Sequence, residues 1–243
     1  MLERKLTVCT YDVLPDGNLK PSAFQKYCQQ IAVDDVSATG ATYRALKERG
    51  MAFVLMRYAA AFPKEVRATD EVVLKTHAYK CDGVMFYRCF ELHRDGDLVA
   101  VADTRWVLLD IRKRTILRPA QYTFRIEETA PGAPLPEIDR RIPVEKTDAR
   151  AERRVRFTEM DENGHLNNCS YTDWAIDDAP LDLDRVRIKS VCIHFDHEAY
   201  RDDLLELSYQ KNPDGCSLNA FDRTENRSCF SAVLKTEPKT GNR

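Results

Sequence analysis

The sequence predicts an α+β chain built from two copies of one unit, a helix followed by an antiparallel sheet. Three observations predict it. Long β-rich runs are separated by Asp-Gly turns. A stretch of helical apolar spacing stands ahead of them. After a proline-rich interval a short signature recurs, again leading into helical spacing.

The first helix is expected to begin at Pro21, whose fixed φ suits a first helical position. Phe24, Tyr27, Cys28, Ile31 and Ala32 then repeat at helical spacing until Gly40. Strand runs come next at Val72–Tyr79, Val84–Leu92 and Leu98–Leu109, parted by Asp82-Gly83 and Asp95-Gly96, which describes an antiparallel meander. From Arg118 to Val144 the chain carries Pro119, Pro131, Gly132, Pro134, Pro136 and Pro143, the composition of a linker over the outside of a molecule. The expected division is residues 1–120 as a first unit, 121–149 as linker and 150–243 as a second unit.

The second unit starts the cycle again. Gly17, Leu19, Phe24 and Tyr27 stand to Gly164, Leu166, Tyr171 and Trp174 at a constant offset of 147 residues. Further on, Arg67–Leu74 resembles Tyr200–Leu207, a loop feeding a strand. The copies differ where chemistry would matter, because Asn18 takes the place of His165. Only the second copy keeps a titratable imidazole there, leaving the first free to specialise in holding substrate.

Composition narrows the function classes. Hydrophobic residues at 43% and charged residues at 31% are ordinary for a soluble globular protein. A formal net charge of −2 gives no reason to invoke nucleic acid. Neither a signal peptide nor a run of about 18 apolar residues is present, so a cytoplasmic protein with no membrane span is expected. The eight cysteines form no CxxC pair and read as reduced thiols. His194 and His197 would fall on opposite faces of a strand, so no metal site is expected, and no cofactor.

The chemistry-bearing stretch runs from Asp161 to Trp174. It sets Asp161, Asn163 and His165 at alternate positions, which in an extended segment would turn all three to one side. The helix pattern behind them, with Asn167 and Asn168 as capping residues, would offer backbone N–H groups and the positive end of its dipole. A histidine beside a turn is ordinarily a surface or capping residue. The carboxylate and carboxamide at alternate positions, with a helix directly behind, give His165 a second reading in acid–base chemistry on a carbonyl.

The run Asn163-Gly164-His165-Leu166-Asn167-Asn168-Cys169-Ser170-Tyr171-Thr172-Asp173-Trp174 resembles the N-x-H-x-N-N-x-x-Y-x-x-W motif of the acyl-acyl carrier protein thioesterases, the FatA/FatB-like family. The resemblance covers most of the chain. It implies a tandem (double) hotdog fold, two curved antiparallel sheets each wrapped around a long helix. Asp161, Asn163 and His165 match the family's motif residues. Glu198 matches a glutamate in its R-x-E-C-x-R-D segment, and enters the site only through this match. Ala199 stands where the plant members have cysteine, so a thiol nucleophile has no thiol at that position.

The resemblance thus implies a water nucleophile, with Glu198 or His165 taking its proton and a Glu198–His165 hydrogen bond orienting the imidazole. Asn163 and the helix start near Asn168 would hold the water or the developing oxyanion, and Asp161 would fix local geometry. The first half would line an acyl tunnel around Phe53, Val54, Leu55, Met56, Phe86 and Trp106. The expected partners are acyl carrier protein and a fatty acyl thioester. Carrier protein is acidic, so Arg112-Lys113-Arg114, Arg140-Arg141 and Arg150, Arg153, Arg154 and Arg156 are candidate docking charges. An acyl-CoA thioesterase, a hotdog hydratase or dehydratase, and a non-catalytic acyl-thioester binding module are the alternatives. The assembly is left as monomer or homodimer.

Overall fold

A computed structural model describes residues 1–38, 40, 42–118 and 129–239. The chain divides into two compact units, Met1–Pro136 and Glu137–Arg243. Of the expected linker, residues 121–128 lie outside the described residues, 129–148 hold neither helix nor strand, and Ala149 opens a strand.

The first unit opens with β1 (Leu2–Thr7), followed by α1 (Pro21–Ala38), α2 (Tyr43–Glu48), β2 (Met51–Ala61), β3 (Glu71–Asp82), β4 (Met85–Arg94), β5 (Asp97–Asp110) and β6 (Thr115–Leu117). Its sheet is antiparallel in the order β1-β3-β4-β5-β2, with β6 paired to β5. The expected meander is β3-β4-β5. Its second hairpin turns at Asp95 and Gly96, whose φ values of 53° and 86° are those of a type I′ turn. α1 starts at Pro21 as the sequence predicts and buries Ala23, Phe24, Cys28, Ile31 and Ala32. The face of the sheet toward α1 carries Leu74, Phe90, Leu92 and Ala102, which cross-strand register puts on one side with Arg88. Arg88 on that face pairs with Asp35 of α1 at 2.7 Å. Each large apolar side chain buried there contributes about 1.5–3 kcal/mol. β1 and the short α2, capped by Thr42 accepting from the Ala45 N–H at 3.1 Å, were not expected from the sequence.

The second unit contains β7 (Ala149–Arg154), α3 (Asn168–Asp177), β8 (Val186–Phe195), β9 (Leu204–Asn212), β10 (Gly215–Asp222) and β11 (Arg227–Pro238). Its sheet order is β7-β9-β10-β11-β8, which is the first unit's order strand for strand. Phe195, Ile193, Phe230, Ala232, Leu207 and Leu218 form its buried interior. Tyr171 of α3 packs its ring against Phe230 and Phe195, at centroid distances of 4.9 and 5.6 Å.

The two helices differ in length, 18 residues in α1 and 10 in α3. Pro180 accounts for the shorter one, since the residue before a proline is driven out of the helical region. α3 also ends on Asp177 and Asp178, the unfavourable charge for a helix C-terminus. Arg153 of β7 offsets this, contacting Asp178 at 2.5 Å and Asp177 at 3.4 Å.

Candidate active site

The segment from Asp161 to Leu166 is a tight turn rather than an extended run, which corrects the expected alternation. The Asp161 N–H donates to the His165 carbonyl at 2.8 Å, and the Gly164 N–H donates to the Asp161 carbonyl at 3.1 Å. Gly164 sits at φ +79°, the left-handed region glycine enters without steric cost. The Asp161 carboxylate holds the turn from inside. Its Oδ1 accepts from the backbone N–H of Asn163 at 2.8 Å and of His165 at 3.3 Å. Its Oδ2 lies 3.5 Å from the Asn163 carboxamide nitrogen. Asp161, Asn163 and His165 are thus neighbours because the chain bends back on itself. Asn163 is exposed, while Asp161 and His165 are half-buried.

Behind the turn, Asn167 caps α3 and accepts from the Cys169 N–H at 2.9 Å, while its carbonyl takes the Ser170 N–H at 2.8 Å. Asn167 therefore caps as the sequence predicts; Asn168, also expected to cap, is the first residue of the helix itself. The cap occupies two of the donors that the helix start was expected to present.

Glu198 is brought to the turn by the loop after β8. A single β-bridge pairs His165 with Tyr200, and the Leu166 N–H donates to the Ala199 carbonyl at 2.8 Å. The Ala199 N–H donates in turn to the Tyr171 hydroxyl at 3.1 Å. Tyr200 touches both His165 and Glu198. Its ring meets the imidazole edge-to-face at 5.0 Å, and its hydroxyl stands 3.5 Å from Glu198 Oε2.

Sequence reasoning missed two residues here, Tyr200 and Glu159. Glu159 accepts from the Trp174 indole N–H at 2.9 Å and from the Arg156 N–H at 2.8 Å, and its carbonyl takes the Asn167 N–H at 2.9 Å. A signal for it existed. Asp12, 147 residues earlier, accepts from the Tyr27 hydroxyl at 2.7 Å, and its carbonyl takes the Lys20 N–H at 2.9 Å.

The thiol of Cys229 is a poor nucleophile. Ala199, at the position of the family's cysteine, is fully buried. Cys229 lies nearby with its Sγ 3.9 Å from the Tyr171 hydroxyl, and burial pushes its thiol up to about 12. Burial also drives the Tyr171 hydroxyl well above its ordinary value, so both stay neutral. His194 is buried in β8, and His197 is exposed with its Nδ1 2.8 Å from the Ser228 carbonyl. Among the described residues no group of three or more His, Cys, Asp or Glu side chains could hold a metal ion. No helix among them is long and apolar enough to cross a membrane.

The residues expected to line an acyl tunnel divide between the two faces of the first sheet. Phe53, Leu55, Phe86 and Trp106 share its α1-facing side, with Phe53 and Phe86 edge-to-face at 5.3 Å. Val54 points to the other face, and Met56 lies in a bulge. Among the candidate docking charges, Arg153 is engaged with Asp177 and Asp178, Arg150 lies 3.6 Å from Glu206, and Arg154 donates to the Asp202 carbonyl at 2.7 Å. Arg156 is exposed beside Phe157, itself 71% exposed.

The turn gathers an imidazole, a carboxamide and a carboxylate, and a single bridge brings a second carboxylate toward it at a helix start, on a helix-and-antiparallel-sheet fold. Comparison with known proteins gives the family. Residues 1–122 match the acyl-ACP thioesterase N-terminal domain and residues 144–237 the acyl-ACP thioesterase C-terminal domain, so the chain belongs to the acyl-ACP thioesterase family. A chloroplastic palmitoyl-acyl carrier protein thioesterase of Cuphea hookeriana is 26% identical over 128 residues, a stretch spanning 49% of this chain and 31% of that relative. The fold is shared with an acyl-ACP thioesterase from Bacteroides thetaiotaomicron, at TM-score 0.86, 16% identity and 97% coverage of each chain. It is shared also with the 12:0-ACP thioesterase from Umbellularia californica, at TM-score 0.80 and 17% identity over 98% of this chain and 97% of that one.

Proposed function

We propose that this protein hydrolyses the thioester of acyl-acyl carrier protein, releasing free fatty acid and the carrier thiol. The observation that carries the reading is the meeting of the His165 turn with the Glu198–Tyr200 segment at the start of α3. We read the chain as a tandem hotdog, with residues 1–120 for the acyl chain, 121–149 as linker and 150–243 for catalysis.

Glu198 or His165 takes a proton from a water, and the water oxygen attacks the thioester carbonyl. The negative charge that develops on the carbonyl oxygen is met by the Asn163 carboxamide and by the Asn168 N–H, since Cys169 and Ser170 donate to the cap. Collapse breaks the C–S bond, and the leaving sulfur receives the proton held by the base. Asp161 keeps the turn closed through its bonds to the Asn163 and His165 N–H groups and takes no proton itself. A neutral Cys229 and a buried Ala199 support water over a thiol as nucleophile. The same chemistry would serve acyl-CoA, which makes an acyl-CoA thioesterase the second reading.

The test is hydrolysis of carrier-linked acyl chains of graded length, and of the matching CoA thioesters, by wild type, His165→Ala, Asn163→Ala and Glu198→Ala. The expected result is a higher kcat/KM on carrier thioesters and a fall of about 100-fold or more in kcat for His165→Ala. Full activity in His165→Ala overturns the mechanism, and a preference for CoA moves the substrate to the second reading.

A further inference from the structure

The first unit contains the same loop pair as the second, and its differences show what residue 200 does. The backbone sets the correspondence. Leu19 donates to the Val66 carbonyl as Leu166 does to that of Ala199, each at 2.8 Å, and a bridge pairs Asn18 with Arg67 as another pairs His165 with Tyr200. Glu65 therefore occupies the place of Glu198, and Arg67 the place of Tyr200. In the first unit Arg67 contacts the Glu65 carboxylate at 2.5 Å and donates to the Asp16 carbonyl at 2.6 Å. The second unit has a neutral phenol at this place. The Tyr200 hydroxyl faces Glu198 Oε2 at 3.5 Å, long for an O–H···O bond, and Arg227 donates to the Glu198 carbonyl at 3.0 Å, so a phenol stands at the carboxylate where the first unit has a guanidinium.

We propose that Tyr200 is the positioning residue of this site, its ring fixing the His165 imidazole and its hydroxyl aligning Glu198. The proposal rests on the reading of His165 and Glu198 as the acid–base groups. A contact this long in the free protein is of the kind that tightens when substrate fills the site.

The experiment compares Tyr200→Phe, Tyr200→Leu and Tyr200→Arg with wild type. It measures kcat, KM and the pH profile of kcat/KM, together with an NMR titration of the His165 ring assigned by its loss in His165→Gln. Tyr200→Phe keeps the ring, so kcat should stay within about 3-fold, with the acidic limb of the profile moved up as Glu198 loses a donor. Tyr200→Leu frees the imidazole and should lower kcat about 10- to 100-fold with KM nearly unchanged. Tyr200→Arg should lower kcat at least as far and move the acidic limb down, the opposite direction to Tyr200→Phe. Thermal midpoints check folding, and Tyr200→Phe carries the test if the larger changes do not fold. Wild-type kcat and pH profile in Tyr200→Leu and Tyr200→Arg would overturn the proposal, as would shifts in the same direction for Phe and Arg. Absence of hydrolysis in wild type, or activity in His165→Ala, defeats the functional reading instead. The His165 titration still decides the role of Tyr200 in that case, because an unmoved curve in the Leu and Arg variants overturns it.

Discussion

Tyr171 organises the site without belonging to it. Its ring is wedged between Phe195 and Phe230, and its hydroxyl accepts the Ala199 N–H, whose own carbonyl takes the Leu166 N–H. One buried phenol thus ties the His165 turn to the loop that carries Glu198. Tyr171→Phe keeps the packing and leaves a buried N–H without its acceptor, which costs about 1–3 kcal/mol. Urea unfolding should show that loss, together with reduced kcat, and a midpoint equal to wild type would mean that the Ala199 bond contributes nothing. The tyrosine was legible as a motif position spaced for a helix face. Its bond to Ala199 was not, because nothing local in either segment marks a contact 28 residues apart in the chain.

At the scale of elements, the readings that held rest on strong local chemistry. Pro21 opens α1, Asp95-Gly96 turns β4 into β5, and Asn167 caps α3. The reading that failed was the extended alternation of Asp161, Asn163 and His165, which the positive φ of Gly164 and the Asp161 carboxylate fold into a turn. Alternate spacing and a tight turn both gather such residues, so period alone could not choose between them. Tyr200 and Glu159 escaped because their partners come from other elements. The loops preceding β3 and β9 hold a further feature in common, a non-glycine residue in the left-handed region, Thr69 at φ 71° and Asp202 at φ 70°. A β-branched side chain is strained there by about 1–2 kcal/mol, whereas aspartate tolerates the region better. Thr69 is exposed, so Thr69→Gly relieves the strain with no loss of packing, offset in part by the greater freedom of glycine in the unfolded chain. The expected net gain is about 0.5–1 kcal/mol in urea unfolding, with a smaller gain for Asp202→Gly, and a destabilised Thr69→Gly would refute the strain argument.

Over the whole molecule, each unit holds the same strand order with its own helix, turn and aromatic-to-carboxylate clasp. Such a scaffold can carry chemistry in either copy, so what separates them must lie in side chains. Three differences stand out. Asn18 replaces the imidazole, Leu14 replaces the Asp161 carboxylate that closes the turn, and Arg67 ties up Glu65. The first unit closes its turn differently, with Asp16 Oδ1 accepting from the Asn18 N–H at 3.0 Å. Restoring the imidazole alone therefore leaves a histidine beside a guanidinium, with the loop carboxylate Glu65 engaged by Arg67. The double variant Asn18→His/His165→Ala should accordingly stay as inactive as His165→Ala, measured on the same carrier thioesters. Adding Arg67→Tyr releases Glu65 and is the one further change that should lift activity above that background. Recovery in the double variant without Arg67→Tyr would mean that the residue facing the loop carboxylate does not govern its basicity, and would weigh against the role given to Tyr200 as well.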